Sequence, residues 1–425
     1  MKGQNLMLYC ERLFNDLNRL ADSPDGEKRL IRELATRVAA LARAPRMRAI
    51  NQRWRDVVAR RRPDRPPVWC NPVGCWSELL PEAKLACRTP AFQELEVHFK
   101  RLLIKDAIGD DTPVNEYFMV NAVFDVSPAN TWGLDIECEK TETKGDAWRY
   151  KPALRCAADF ARLVVPRYQI NRAATEAARA RLADILGEAM PVRVSPITGY
   201  YSGATLCQPA VGLRGMEQIL IDMAESPELV HRLLETVCRG EMARLDAIEL
   251  AGGILPNTDC AMFLSDPLRE NVSGNFDLRD CWGHGNSQEF DTVGPAMFNE
   301  FLLDYQKRLF LRFGAVGYGC CENLTRKLDH VLTIPNLRLL TCSAWTDLSV
   351  LVDKVGDRCC IMWRHKATDV VCPDDTVKLK AQIVAQAERL KGCHYQAVLR
   401  ELQTLMGHPQ RLSEWTRLTM EAVSR

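Results

Sequence analysis

The segment Gly317-Tyr318-Gly319-Cys320-Cys321-Glu322-Asn323 sets two adjacent thiols and a carboxyl at the end of an apolar run, FLRFGAVGYG, that reads as a buried strand. Thiolates and carboxylates are zinc ligands, and a catalytic zinc takes three protein donors and leaves one position open. Cys320 or Cys321 with Glu322 supplies two donors. Cys342, one strand later, and His365 and Glu401, near the ends of two further candidate strands, are the candidates for the third. A coordinating thiol is deprotonated outright, so such a centre holds a ready nucleophile. Plain packing is the competing reading: cysteine is among the most buried residue types, and the chain has another adjacent pair at Cys359-Cys360. A vicinal disulfide is a third reading, although it closes a strained ring.

Two other clusters carry chemistry. In RDCWGHGNSQEFD, 279–291, Trp282 offers an aromatic face, His284 a titratable ring, Asn286 and Gln288 two amides, and Glu289 a carboxylate. We read this as a Gly-containing loop that binds a small polar substrate, with His284 as proton carrier or extra metal ligand; a capped helix start is the alternative. In CSAWTD, 342–347, Trp345 is a candidate substrate contact. Asp347 reads either as an acid or base whose pKa rises in a desolvated mouth, or as the N-cap of the helix that begins LSVLVDKV. Glu401, in LREL, is a base or ligand if it faces inward. Asn71, Glu116, Asn121, Tyr200 and Tyr201 are expected to line the mouth, with Asp259-Cys260 at another strand end.

These residues need a scaffold that brings many strand ends together. Candidate strands are PVWCNPV, YFMVNAVFDV, MPVRVSPI, GAVGYGC, LRLLTC, CCIMWR and HYQAVLREL, and they alternate with helical patterns such as TEAARARLADILGEA and DTVKLKAQIVAQAERL. That alternation over a long chain predicts a parallel α/β sheet, with a (β/α)8 TIM barrel as the leading geometry and a doubly wound sheet as runner-up. GLRGME, 212–217, lacks the spacing of a phosphate loop and reads as a helix start. GLDIECEKTETKGDAW, 133–148, reads as an edge hairpin or lid. Apolar positions at helical spacing, from Leu6 to Leu20 and from Leu30 to Leu41, predict an N-terminal helical extension over 1–62, closed by RRRPDRPP; the barrel then spans 63–425.

The chain has 425 residues, 47% of them hydrophobic, and 56 Lys+Arg set against 55 Asp+Glu. That balance excludes a polyanion-binding protein, so no nucleic-acid partner is expected. Seventeen cysteines spread over such a length point to a reducing cytoplasm rather than a disulfide scaffold. Without an apolar run of about 20 residues, neither export nor membrane insertion is expected.

PPVWCNPVGCWSELLPE, 66–82, DMAESPELVHRLLE, 222–235, DTVGPAMFNEFLLDYQKRLFLRFG, 291–314, and LRLLTCSAWTDLSVLVDKVGDRCCIMWR, 337–364, taken in order, resemble the uroporphyrinogen decarboxylase superfamily, which also holds zinc-dependent, corrinoid-linked methyltransferases. The resemblance covers roughly 66–425. It implies a (β/α)8 barrel with its site at the C-terminal strand ends, and it sets Tyr318-Gly319-Cys320 where the methyltransferases carry a His-x-Cys metal motif. Asn71, Pro72 and Val73 stand where the decarboxylases carry arginines for propionates, so a porphyrinogen is not the expected substrate. The leading expectation is methyl transfer from a small O-, N- or S-methyl donor, assisted by zinc, to a corrinoid held on a separate partner protein. The chain itself has no Asp-x-His-x-x-Gly pattern. The rivals are a metal-free decarboxylase of a small acid, with Arg364, Lys366 and Arg400 as candidate cations, and a non-catalytic binding barrel. A homodimer is compatible with all three.

Overall fold

Runs such as LRLLTC and CIMWRH are apolar on both alternating faces, the pattern of parallel strands covered on both sides. The computed structural model describes residues 13, 24–140, 148–199, 201, 203–270, 273–372 and 376–424. Its strands are β1 (Val68–Cys70), β2 (Phe118–Asn121), β3 (Phe124–Ser127), β4 (Glu137–Lys140), β5 (Trp148–Lys151), β6 (Arg167–Ile170), β7 (Val192–Ser195), β8 (Trp282–Gly285), β9 (Ala315–Tyr318), β10 (Leu337–Cys342), β11 (Cys360–His365) and β12 (Tyr395–Leu399). Six of them form one parallel sheet in the order β1-β12-β11-β10-β9-β8, and β2 pairs in parallel with β7 in a second sheet. The fold is therefore mixed α/β with parallel sheets. Backbone pairing does not close the ring expected from the sequence, because two seams separate the sheets.

Side chains bridge the gap between β7 and β8 and occupy the free edge of β1. Between β7 and β8, Ser195 Oγ accepts from Leu255 N at 3.0 Å. Asn257 Nδ2 donates to Gly199 O at 2.8 Å and to Trp282 O at 3.0 Å, and its Oδ1 accepts from Trp282 N at 2.7 Å. Beside β1, Asp111 accepts from Val68 N and Asp110 from Cys70 N, each at 2.8 Å. These carboxylates satisfy the edge donors of a buried strand, which would otherwise go unpaired. Asp111 is itself held by Arg53 at 2.7 Å and Arg65 at 2.6 Å, and Asp110 by the buried Lys105.

The strands divide their side chains between two cores. Trp69, Phe118, Val120, Trp282, Ala315, Leu339, Met362 and Val398 share one cluster with residues of α1 (Asp25–Arg43), α2 (Pro45–Val58) and α3 (Pro90–Ile108). Val68, Val316, Leu340, Ile361, Ala397 and Leu399 face the other, with α4 (Leu348–Val355) and α5 (Gln410–Val423). The helices at the N-terminal end are thus built into the inner core, where Trp54 Nε1 donates to Asp111 O at 2.7 Å.

The 133–148 stretch yields the antiparallel pair β4–β5, as its hairpin reading anticipates. YFMVNAVFDV, expected as one strand, is two: β2 pairs with β7, and β3 pairs antiparallel with β6. Residues Leu6 to Cys10 and Phe14 to Leu20 of the N-terminal pattern lie outside the described residues. Two consecutive helices, Met216–Glu225 and Pro227–Ala251, are separated at Pro227, which cannot donate to the preceding turn. Among the described residues no helix is long and apolar enough to cross a membrane.

Candidate functional site

Trp282 and His284 belong to a strand, not to the loop expected for them. WGHG hides its strand character because its outward positions are glycines. A Cβ on Gly283 would lie 2.6 Å from the Phe313 ring, so only glycine lets that ring approach the strand. The inward residues are Trp282, stacked on Phe263 at 5.2 Å with Nε1 donating to Ser265 Oγ at 3.1 Å, and His284, whose Nε2 bonds Gly319 O at 3.1 Å. Burial lowers the His284 pKa to about 3, and the nearby Arg364 and Arg400 charges push the same way. His284 is a neutral, buried ring and Trp282 a core residue rather than a substrate contact.

The thiol pair lies just past β9. Gly319, at φ +101°, turns the chain in the left-handed region, and the next two side chains converge instead of alternating. Cys320 Sγ and Cys321 Sγ are 3.6 Å apart. Cys321 Sγ donates to Glu401 Oε1 at 3.4 Å. Arg364, at the end of β11, binds Glu401 Oε1 at 2.6 Å and Cys320 O at 2.8 Å. Glu401 adopts φ 59°, a strained conformation for a non-glycine residue and one that recurs at functional sites. A hydrogen bond from Cys321, together with the positive charges of Arg364 and Arg400, lowers the Cys320 pKa, while Cys321 holds its proton more tightly.

Glu322, the first choice as catalyst and ligand, is instead a brace. Its carboxylate accepts from Ser287 N at 2.7 Å and Cys320 N at 2.8 Å, with Ser287 Oγ at 3.2 Å, and its own carbonyl accepts from Ser343 Oγ at 2.7 Å. Three strand ends are tied through this one residue. Burial raises its pKa, and the N–H donors pull in the opposite direction.

The other expected site residues scatter. Cys342 faces the outer core, with its thiol near the carbonyls of Ser343 and Thr346. His365 also points outward, accepts from Trp415 Nε1 at 2.8 Å and has its pKa lowered by burial to about 4. Asp347 caps α4, accepting from Ser349 N at 2.8 Å and Val350 N at 3.1 Å. Asn286 shapes a turn by accepting from Gln288 N at 3.2 Å, Gln288 is exposed, and Glu289 accepts from Cys207 Sγ at 2.9 Å. Trp345 is 62% exposed, with Lys366 over its ring at 5.4 Å. Tyr200 lies outside the described residues. Tyr201 and Asn121 line a polar cavity of about 280 Å³ at the β2 and β7 ends, where Tyr201 Oη donates to Glu241 at 3.1 Å.

This donor set does not fit zinc. Cys342 and His365 lie on the far side of the sheet, both Glu322 oxygens are occupied, and a guanidinium stands beside Cys321 and Glu401 where a metal's charge would be. Among the described residues no three His, Cys, Asp or Glu groups are placed to hold a metal ion.

A different set does converge. Asn71 and Arg400 line a cavity of about 160 Å³ together with Trp69, Phe118, Met190, Met262, Tyr117 and Asp259. Tyr117 Oη donates to the Asp259 carboxyl, Asn115 Nδ2 donates to Asp259 O at 3.2 Å, and the Arg193 guanidinium sits 3.9 Å from the Tyr117 ring centre. Burial raises the Asp259 pKa against the pull of Tyr117 and Arg193. Sequence reasoning gave Asp259 little weight and missed Tyr117 as its partner. LPNTDC has no strand pattern, and the pairing joins segments far apart in the chain.

An apolar cavity of about 150 Å³ holds one benzene molecule. A space of about 160 Å³ is therefore of the size of a single-ring body. Against known proteins, no family model matches the chain and no curated relative is found.

Proposed function

We propose that this chain is a metal-independent enzyme, a decarboxylase of a small organic acid, working at the C-terminal strand ends of a (β/α)8 barrel. The observation that carries the reading is the sharing of one mostly apolar cavity by Arg400 and the raised-pKa carboxyl of Asp259. Arg400 and Asn71 orient the acid. The C–C bond to the carboxylate breaks, its electron pair stays on carbon, and carbon dioxide leaves. Asp259, whose carboxyl is pushed towards its protonated form by burial, gives its proton to that carbon and regains one from water. Apolar walls such as Trp69 and Met262 favour the loss of a charged group as a neutral gas.

The test is carbon dioxide release from carboxyl-labelled monocarboxylic acids of one-ring size. Asp259→Asn should lower kcat by about 10²–10⁴-fold, the usual worth of a general acid. Arg400→Gln should raise KM more than it lowers kcat. In the wild type, kcat should fall as pH rises through the raised pKa of Asp259, and this limb should be missing in Asp259→Asn. No release from any such acid overturns the reading.

The lowered pKa of Cys320 favours a second reading, methyl transfer, in which this thiolate attacks the methyl carbon of a small O-, N- or S-methyl donor. The donor heteroatom leaves with the C–X electron pair and takes a proton from water, and the S–C bond then breaks to pass the methyl to a corrinoid partner and restore the thiolate. A methyl-sized mass increase on the Cys320 peptide after incubation with methyl donors supports it; an unmodified thiol refutes it.

A further inference from the structure

The chain contains two adjacent cysteine pairs, and the fold treats them oppositely. Cys359 and Cys360 stand where strand β11 begins, and their side chains part into different cores, 1% and 0% exposed. Cys320 and Cys321 follow the left-handed Gly319, keep their sulfurs 3.6 Å apart and are half-buried. Two sulfurs on neighbouring residues, held face to face, make a chelate for a thiophilic centre that needs few ligands and tolerates a pyramidal geometry. Zinc is not that centre, because it wants a third protein donor and a tetrahedron. A three-coordinate element with a lone pair needs only the two sulfurs and one oxygen.

We propose that Cys320 and Cys321 form a chelating site for trivalent arsenic, as arsenite or an organoarsenical. Arsenous acid loses two hydroxyls as it binds: two As–O bonds break, two As–S bonds form, the two thiol protons leave with the hydroxyls as two waters, and no electrons change hands. Glu401 Oε1, 3.4 Å from Cys321 Sγ, takes that thiol's proton and relays it to a departing hydroxyl. Arg364 Nη1, 2.6 Å from the same carboxylate oxygen, holds Glu401 in position during the transfer. The remaining As–OH completes the three-coordinate centre, and in an organoarsenical an aryl or methyl group takes its place. The strained φ of 59° at Glu401 is what aims this carboxylate at the pair.

The experiment titrates reduced full-length protein with arsenite and reads bound arsenic by native mass spectrometry. The wild type should retain one equivalent. Cys320→Ser and Cys321→Ser should each weaken binding by about 100-fold or more, because losing one arm removes the intramolecular second bond. Cys359→Ser should bind like the wild type. Glu401→Gln should slow association several-fold while keeping one equivalent. An independent reading needs no variant: arsenite added before a thiol alkylator should protect the peptide carrying Cys320 and Cys321 and leave labelling of exposed Cys156 and Cys372 unchanged. If no arsenic is retained, if the alkylator labels the pair regardless, or if both serine variants bind as the wild type does, the proposal fails. None of these outcomes depends on decarboxylase activity.

Discussion

Replacing Glu322 with glutamine changes one oxygen to an amide nitrogen in a place where both oxygens accept backbone N–H groups, from Ser287 at 2.7 Å and Cys320 at 2.8 Å. Whichever way the amide turns, one of those buried donors meets an NH2 group. An orphaned buried donor costs about 1–3 kcal/mol. In a chain of this size, at about 2.1 cal/mol/K of unfolding entropy per residue, that corresponds to a fall of about 1–3 °C in Tm. Alanine leaves both donors unpaired, opens a void, and should cost about twice as much. Thermal and urea unfolding measure the loss. Because Glu322 does not line the Asp259 cavity, turnover per folded molecule at that site should change by only a few-fold in Glu322→Gln. A glutamine variant as stable as the wild type but without activity would refute the brace and restore Glu322 as a catalyst.

Three further outcomes follow from the same geometry. Asp347→Ala should cost about 1 kcal/mol as a lost N-cap, with activity unchanged; a large kinetic effect at constant stability would contradict the cap. His284 and His365 have folded pKa values lowered to about 3 and about 4 from 6.5, so the unfolded chain takes up their protons first. Their contribution to stability is full above pH 6.5 and is lost as pH falls to about 4 for His365 and about 3 for His284, and His365→Gln should flatten the upper part of that stability–pH curve. Gly283→Ala should destabilise by about 1–3 kcal/mol, since its Cβ would meet the Phe313 ring at 2.6 Å; urea midpoints matching those of the wild type would place that ring elsewhere.

What the sequence determined by itself was local and periodic. Apolar runs gave the parallel strands β9 to β12, helical spacing gave the intervening helices, and their alternation fixed the α/β class. GYGCC was legible as a strand rim because its glycines and small thiols end an apolar run. β8 was not legible, because glycines occupy its outward positions and remove the alternation that marks a strand. The decisive contacts are non-local. Glu322 became a brace through Ser287, 35 positions away, and His365 turned outward to Trp415, 50 positions away. Asp259 gained its raised pKa from burial in a wall assembled from several segments. Residue type tells which groups can bind a proton or a metal. Which oxygens are already occupied, which thiols converge and which carboxyl is dry depend on neighbours brought together only by folding, and the tertiary structure decided those.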